Sequence, residues 1–251
     1  MSERHTGRFF LETRELTKSF GGVVAVNGVN FKLPHGELRS IIGPNGAGKS
    51  TFFNILAGNI KPTEGQVFYK GENITNLKPY QISHLGIGRS FQVTNIFPEL
   101  TAFENVRVAA QSRKTTYGMW RDGASHRDLN EKTEVILRKV KLAERQDLLA
   151  STLGYGEQRY LEIGIALATD PELLLLDEPT AGMSPEETGE TALFIKELSK
   201  SLTIILVEHD MEVVMGISDY VTVLDNGSIL AEGTPEDIRR DEEVQRVYLR
   251  E

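Results

Sequence analysis

Residues 43–51 read Gly43-Pro44-Asn45-Gly46-Ala47-Gly48-Lys49-Ser50-Thr51. They fit the pattern Gly-x-x-x-x-Gly-Lys-Ser/Thr, a loop that cradles phosphates. The apolar run 38–42 before the loop reads as a strand, and 51–58 after it continue as a helix. Each residue type has a chemical reason. Gly43, Gly46 and Gly48 let the backbone curl so that successive N–H groups point inward at phosphate oxygens. The helix start adds partial positive charge at the same place. Lys49 supplies a full charge to the β- and γ-phosphates, and Ser50 a hydroxyl to Mg²⁺. The bland alternative is a glycine turn with a chance lysine. Spacing and the strand–loop–helix order both weigh against it.

Working outward, the first seventy residues alternate with period two. Val29, Phe31 and Leu33 fall on one face, Asn30 and Lys32 on the other. Residues 34–36 turn into 37–42, and 66–69 form another short strand ended by 70–73, which together predict a small sheet flanking the loop. Residues 79–92 predict a short helix and then a strand. Residues 103–141 are mostly helical by spacing, interrupted by a loop over 113–130 that holds Trp120, the only tryptophan. From Glu157 onward helices and strands alternate: helices over 157–169, 185–200 and 211–217, strands over 173–177, 203–207 and 220–224. Asn226-Gly227 makes a hairpin turn into 228–232. Thr234-Pro235-Glu236-Asp237 caps a final helix. Such alternation implies a mostly parallel sheet covered by helices.

The second decisive stretch is Leu173-Leu174-Leu175-Leu176-Asp177-Glu178-Pro179. Four leucines predict a strand buried on both faces. Two carboxylates then emerge at its C-terminal end, where open α/β sheets place ligands. Asp177 can hold Mg²⁺ through water, and Glu178 can deprotonate an attacking water. His209 follows the next buried strand, so it falls on the same sheet edge, where an imidazole can contact a γ-phosphate. Gln92 ends the strand of 86–92 and offers an amide oxygen to Mg²⁺ or water. Leu153-Gly154-Tyr155-Gly156-Glu157-Gln158 opens a helix with glycines, a second place for an anion. Alone, each of these has an ordinary reading: a solvated loop acid, a satisfied histidine, a surface glutamine.

Composition sets outer limits. The chain has 251 residues, 39% of them hydrophobic and 25% charged, as in ordinary globular proteins. A formal net charge of −8 argues against broad binding to nucleic acid. The chain has no cysteine, which excludes disulfides and thiol chemistry. Residues 1–16 have no apolar core of the kind a signal peptide needs. The longest apolar runs, 173–176 and 204–207, are far short of the ~20 residues a membrane span requires. The expectation is a soluble or peripheral chain whose membrane work requires a partner.

These motifs together resemble the ATP-binding cassette family of transporter ATPases over essentially the full length. The resemblance implies an α/β fold of the P-loop NTPase, RecA-like type. That fold has a mostly parallel sheet core, an N-terminal antiparallel β subdomain and an inserted α-helical subdomain. It implies one cassette domain over 9–251, with the core in 9–92 and 160–251 and the helical subdomain in 93–159. Nucleotide contacts are carried onto Gly43, Pro44, Asn45, Gly46, Ala47, Gly48, Lys49, Ser50 and Thr51. Adenine stacking falls on Phe20, which alone would read as core packing. The signature loop falls on Gly154, Tyr155, Gly156 and Glu157. The catalytic group is Glu178, His209, Lys49 and Gln92, with Ser50, Gln92 and Asp177 toward Mg²⁺. Three departures stand out. Gly154 replaces the usual signature serine and so lacks one hydroxyl, Tyr155 replaces a signature glycine, and Ser184 stands where many members have aspartate.

Several stretches are similar to the branch that serves branched-chain amino acid importers: 156–163, 178–185, 208–219, 96–105 and 247–249. The implied protein hydrolyses ATP at the cytoplasmic face of a membrane. Two cassettes, identical or different, close head to tail around two Mg-ATP. Each ATP lies between one chain's phosphate loop and the other chain's signature loop. The implied partners are separate permease subunits, indirectly a periplasmic or extracellular solute-binding protein, and no nucleic acid. Residues 93–108 are expected to form part of a groove for the permease, with a buried helical core as the ordinary reading. An exporter ATPase, for lipopolysaccharide or another lipid, shares every catalytic motif and is the alternative. Acting on DNA would need a coiled-coil insertion, and acting on ribosomes a second cassette; neither is present.

Overall fold

The structure, a computed structural model, describes residues 9–90, 96–112 and 123–248. Gln92 and Trp120 lie outside the described residues. The chain divides into two compact units, residues 1–82 with 175–251, and residues 83–174. In chain order the first unit holds β1 (Leu11–Phe20), β2 (Val23–Val29), β3 (Lys32–Leu33), β4 (Leu38–Ile42), α1 (Lys49–Leu56), β5 (Glu64–Tyr69) and β6 (Glu72–Asn73). Helix α2 (Pro79–His84) runs across the boundary into the second unit. That unit holds β7 (Ile87–Arg89), α3 (Ala102–Gln111), α4 (Gly123–Lys139) and α5 (Tyr155–Ala168). Strand β8 (Leu173–Asp177) crosses back, and α6 (Pro185–Ser199), β9 (Thr203–Val207), α7 (Met211–Ile217), β10 (Tyr220–Asp225), β11 (Ser228–Gly233), α8 (Pro235–Arg240) and α9 (Glu242–Tyr248) complete the first unit.

The first unit has two sheets. In the antiparallel one, β1 pairs with β2, β3 and β5, and β5 turns back onto β6. The alternation read from the sequence is its reason. Val29, Phe31 and Leu33 are buried while Asn30 and Lys32 are exposed. The strand breaks between β2 and β3, and buried Thr13 bridges the break. Its Oγ1 donates to Val29 O at 2.8 Å and accepts from Phe31 N at 3.0 Å.

The other sheet runs β11-β10-β4-β9-β8 in this unit. Strand β4 pairs in parallel with β10 and with β9. The β10–β11 hairpin is antiparallel, turning on Asn226 (φ 47°) and Gly227 (φ 80°). Every residue of β4, β8 and β9 is buried, so covered faces on both sides explain the unbroken apolar runs. Each fully buried leucine of β8 contributes roughly 1.5–3 kcal/mol. Because β8 and β9 end together, with Glu178 N donating to Val207 O at 2.8 Å, their following segments leave the sheet at one edge.

The second unit packs α3, α4 and α5 around Ala102, Val106, Leu129, Leu137, Val140 and Leu161. Helix α5 comes so close to α4 that a Cβ at Gly164 would lie 3.3 Å from Val140 Cγ2. Within this unit Gly86 O accepts from Glu172 N and Leu173 N, which seats β7 beside the start of β8.

Three boundaries differ from the sequence reading. Helix α4 begins at Gly123, within the expected loop. Leu129, Thr133, Ile136, Leu137 and Val140 form one buried stripe at helical spacing, while Arg127, Asp128, Glu131, Glu134 and Arg138 are exposed. Helix α5 begins at Tyr155, two residues early, with Gly154 as its N-cap. Helix α8 is not the last. Asp241 restarts the chain as α9, its Oδ1 accepting from Glu243 N at 2.8 Å and Val244 N at 3.1 Å. Among the described residues, no helix is long and apolar enough to cross a membrane.

Candidate functional site

The loop after β4 is shaped by glycines that nothing else can replace. Gly43 has φ 150° and Gly48 φ 98°. A Cβ on Gly43 would lie 2.1 Å from Leu224 O, and one on Gly48 2.2 Å from Ala25 O. Both obstacles are backbone, so they cannot swing away. Lys49, the first residue of α1, is buried at 8% exposure. Its Nζ donates to Gly43 O at 2.5 Å and Pro44 O at 3.0 Å, which pins the arch of the loop. Ala47 is buried, Pro44 and Thr51 are half-buried, and Asn45, Gly46 and Ser50 are exposed. No side chain caps α1, and its first turn contains no acid. Its start therefore remains electropositive.

Asp177 and Glu178 stand one strand beyond β9 on the same sheet edge. Asp177 is buried at 1% exposure, while the Glu178 carboxylate is partly exposed. The Glu178 backbone is left-handed, φ 47°, an unusual state for a non-glycine residue. His209 follows β9 and is well exposed. Its Nδ1 lies 3.9 Å from Glu178 Oε1 and 3.8 Å from Glu208 Oε2. The first unit thus places Lys49, Ser50, Asp177, Glu178 and His209 after three neighbouring parallel strands. That is a charge cradle with a carboxylate and an imidazole beside it.

A divalent ion here would find one hydroxyl, Ser50, and one buried carboxylate, Asp177. Among the described residues no cluster of three acidic or histidine side chains could hold a metal by itself. Two hard oxygen donors suit Mg²⁺, which keeps several waters and binds through one or two carboxylates together with substrate phosphates.

Sequence reasoning missed Glu208. It is fully buried, and its Oε1 accepts from Thr180 N at 3.1 Å and Thr180 Oγ1 at 2.6 Å. The signal was present: an acid directly after the apolar run 204–207, beside a histidine already singled out.

Phe20, at the end of β1, is 49% exposed, so it does not serve the core. Lys18 Nζ sits 4.9 Å from its ring centroid, and Val23 and Val24 beside it are also exposed. A flat aromatic face is therefore open at this edge.

In the second unit the stretch 153–158 forms the start of α5. Gly154 takes an extended N-cap conformation, φ −61° and ψ 160°. Its N–H donates to Glu157 Oε2 at 2.9 Å, and Glu157 Oε1 lies 3.3 Å from Arg145 Nε. Tyr155 is half-exposed, and its OH accepts from Arg159, which pairs with Glu162 at 2.9 Å inside the unit. Gly156 belongs to the first helical turn. Of the expected groove, Val106 is in the core, Leu100 and Phe103 are half-buried, and Phe97 and Val108 are exposed. Residues 93–95 lie outside the described residues. Ser184 turns out to be a helix cap. Its N and Oγ donate to Glu187 Oε2, and its Oγ accepts from Glu187 N.

Comparison with known proteins gives a consistent result. Residues 26–181 match the family described as ABC transporter. Residues 228–249 match the one described as branched-chain amino acid ATP-binding cassette transporter. The high-affinity branched-chain amino acid transport ATP-binding protein BraF of Pseudomonas aeruginosa is 43% identical, over 97% of this chain and 99% of its own. A solved ATP-binding cassette of an ABC transporter in its ADP conformation superposes with a TM-score of 0.84 at 32% identity, covering 96% of this chain and 99% of that one. A dimeric cassette in a post-hydrolysis state, bound to ADP and Pi, superposes at 0.78 and 27% identity, covering 90% and 98%.

Proposed function

The chain belongs to the ABC transporter family, whose ATP-binding subunits hydrolyse ATP, and we propose that it is the ATPase of an importer for branched-chain or related amino acids. The observation that carries the proposal is the end-to-end match to BraF, joined by the branch-specific match over 228–249. An exporter shares the catalytic motifs, but these two matches do not favour it.

The chemistry follows from the site. The loop from Gly43 to Thr51 wraps the phosphates, and Lys49 supplies the full positive charge. Phe20 offers its exposed face to the adenine. Ser50, Gln92 and Asp177 would hold Mg²⁺, whose charge would offset that developing on the β- and γ-phosphates. Glu178 takes the proton from the attacking water, and His209 holds the γ-phosphate from the other side. Gly154, Tyr155, Gly156 and Glu157 serve the nucleotide of a second cassette, identical or different, so closure of the pair excludes water and completes the site. We assign one cassette domain to 9–251, with 93–159 as its helical part. The exposed Phe97 and Val108 face a permease subunit at the cytoplasmic side of the membrane.

Two substitutions test the roles. Glu178→Gln is expected to bind Mg-ATP normally and to lose turnover by about 10²–10⁴-fold. Retained turnover would reject Glu178 as the base. Lys49→Ala is expected to abolish measurable Mg-ATP binding in titration calorimetry. Copurification tests the importer reading: membrane permease subunits and an amino-acid-binding protein are expected with the tagged chain, and lipid-export partners would overturn it.

A further inference from the structure

The geometry points to Glu208 as a positioning residue for hydrolysis, a buried clasp joining the segment after Glu178 to the segment that carries His209. The inference rests on the roles proposed above for Glu178 and His209, and it adds a third acid that touches neither water nor nucleotide.

Three carboxylates are buried among the described residues: Glu162, Asp177 and Glu208. Glu162 is paired with Arg159. Glu208 has no lysine or arginine partner among the described residues, and it is the most deeply buried of the three. A buried carboxylate is tolerated only where hydrogen bonds replace its water. Glu208 obtains three such bonds. Two come from Thr180, from its N–H and its hydroxyl, both to Oε1. The third comes from its own neighbour, His209 N to Oε2 at 3.2 Å. The donors thus belong to two separate loops, one after β8 and one after β9.

Each loop carries a reacting group that cannot aim itself. Glu178 sits in the left-handed region and is anchored on one side by its N–H to Val207 O. On its other side Pro179 leads straight to Thr180, which Glu208 holds. The base is therefore fixed between two points that both belong to the β9 end. His209 is 64% exposed in its side chain, so packing does little to orient the imidazole. Its direction is set by its backbone, which Glu208 holds through the N–H. Loss of the carboxylate frees both loops at once. A displacement on the scale of 1 Å can cost about 10²-fold in rate without touching binding.

The test uses the purified full chain and reads kcat, KM for Mg-ATP and Tm together. Glu208→Gln keeps the shape but turns one acceptor into a donor, so one of the two loops is released. The expected result is a fall in kcat of about tenfold with KM within about twofold of the parent. Thr180→Val removes only the hydroxyl bond, and a kcat fall of about threefold at unchanged KM is expected. The double variant is expected to lose less than the product of the two, because both changes open the same clasp. Glu178→Gln runs alongside. Should it keep its turnover, the reading of Glu178 as base fails and takes this inference with it. Should it lose turnover while Glu208→Gln and Thr180→Val both stay within twofold in kcat, the clasp alone is overturned. A fall in kcat matched by an equal rise in KM and a lowered Tm would also overturn it, leaving Glu208 as packing. If Glu208→Gln does not melt cooperatively, Thr180→Val decides by itself: a kcat fall at unchanged KM supports the clasp, and an unchanged kcat rejects it.

Discussion

Helices α1 and α5 both begin at a glycine, yet their first turns are built in opposite ways. At α1, Gly48 is left-handed, no side chain caps the helix, and no acid lies in the first turn. At α5, Gly154 is in ordinary extended geometry, and Glu157 from the same turn already accepts its N–H. A free helix start carries roughly half a positive charge, which proteins normally quench with a cap. Helices α3, α6 and α8 do so completely, through Thr101 with Glu104, Ser184 with Glu187 and Thr234 with Asp237. Helix α1 stands apart from these: no side chain caps it and no acid lies in its first turn, an arrangement suited to a ligand whose oxygens supply the acceptors. Helix α5 lies between the two extremes. A phosphate brought to it must displace or share with Glu157.

The sharpest way to break the contrast is to place the same methyl group at both glycines. Gly48→Ala drives a Cβ to within 2.2 Å of Ala25 O from a left-handed backbone. A loss of at least about 2 kcal/mol is expected, together with the loss of Mg-ATP binding. At Gly154 the nearest atom to a Cβ is Glu157 Oε2 at 3.7 Å, and the φ of −61° suits alanine. Gly154→Ala is expected to lower the Tm by only about 1–3 °C, the loss of a fair N-cap residue with no steric clash. Melting curves of the two variants with and without Mg-ATP check this. Equal effects at both positions would remove the distinction.

The same contrast explains what the sequence revealed. The α1 start was legible because phosphate binding demands fixed residue types at fixed spacing. The strands β4, β8 and β9 were legible because covering on both faces leaves only apolar residues. Less was readable where order depends on partners distant in sequence. The polar run at the start of α4 becomes helical through a stripe, Leu129 to Val140, that exists only against α3 and α5. One final helix was expected after Thr234, and the capping role of Asp241 appears only once the backbone bends there. Ser184 looked like a departure from a family pattern, whereas its bonds to Glu187 show it closing α6. Glu208 hid because one buried acid looks like any other until its donors are known.

A fully capped helix sharpens the scale from the other end. Ser184→Ala removes the hydroxyl that Glu187 N and Glu187 Oε2 both use. A fall of roughly 2–4 °C in Tm is expected at neutral pH. The Ser184 N–H, and after it the hydroxyl, hold the Glu187 pKa below the ordinary carboxylate range. A pKa lowered by folding stabilises above the unfolded value, and the gain is lost as pH falls through the folded one. The Tm difference between parent and Ser184→Ala is therefore expected to shrink on acidification below the carboxylate range. A difference that stays constant with pH would detach Glu187 from the cap.

The smallest expected change converts α5 toward its better-capped relatives. Gly154→Ser puts a hydroxyl at an N-cap whose backbone already has capping geometry, φ −61° and ψ 160°. With Glu157 in place three residues on, the pair becomes a complete capping box. Serine exceeds glycine at an N-cap by only a few tenths of a kcal/mol, so the Tm is expected to rise by about 1 °C. The second effect separates a helix start that serves the fold from one that serves a ligand. If α5 meets the γ-phosphate of a second cassette, the added hydroxyl gives that phosphate one more donor, and the Mg-ATP-dependent dimer of Glu178→Gln is expected to tighten about two- to fivefold, read by sedimentation at falling protein concentration. A raised Tm with unchanged dimer affinity would mean that the hydroxyl stays with Glu157 and caps the helix alone.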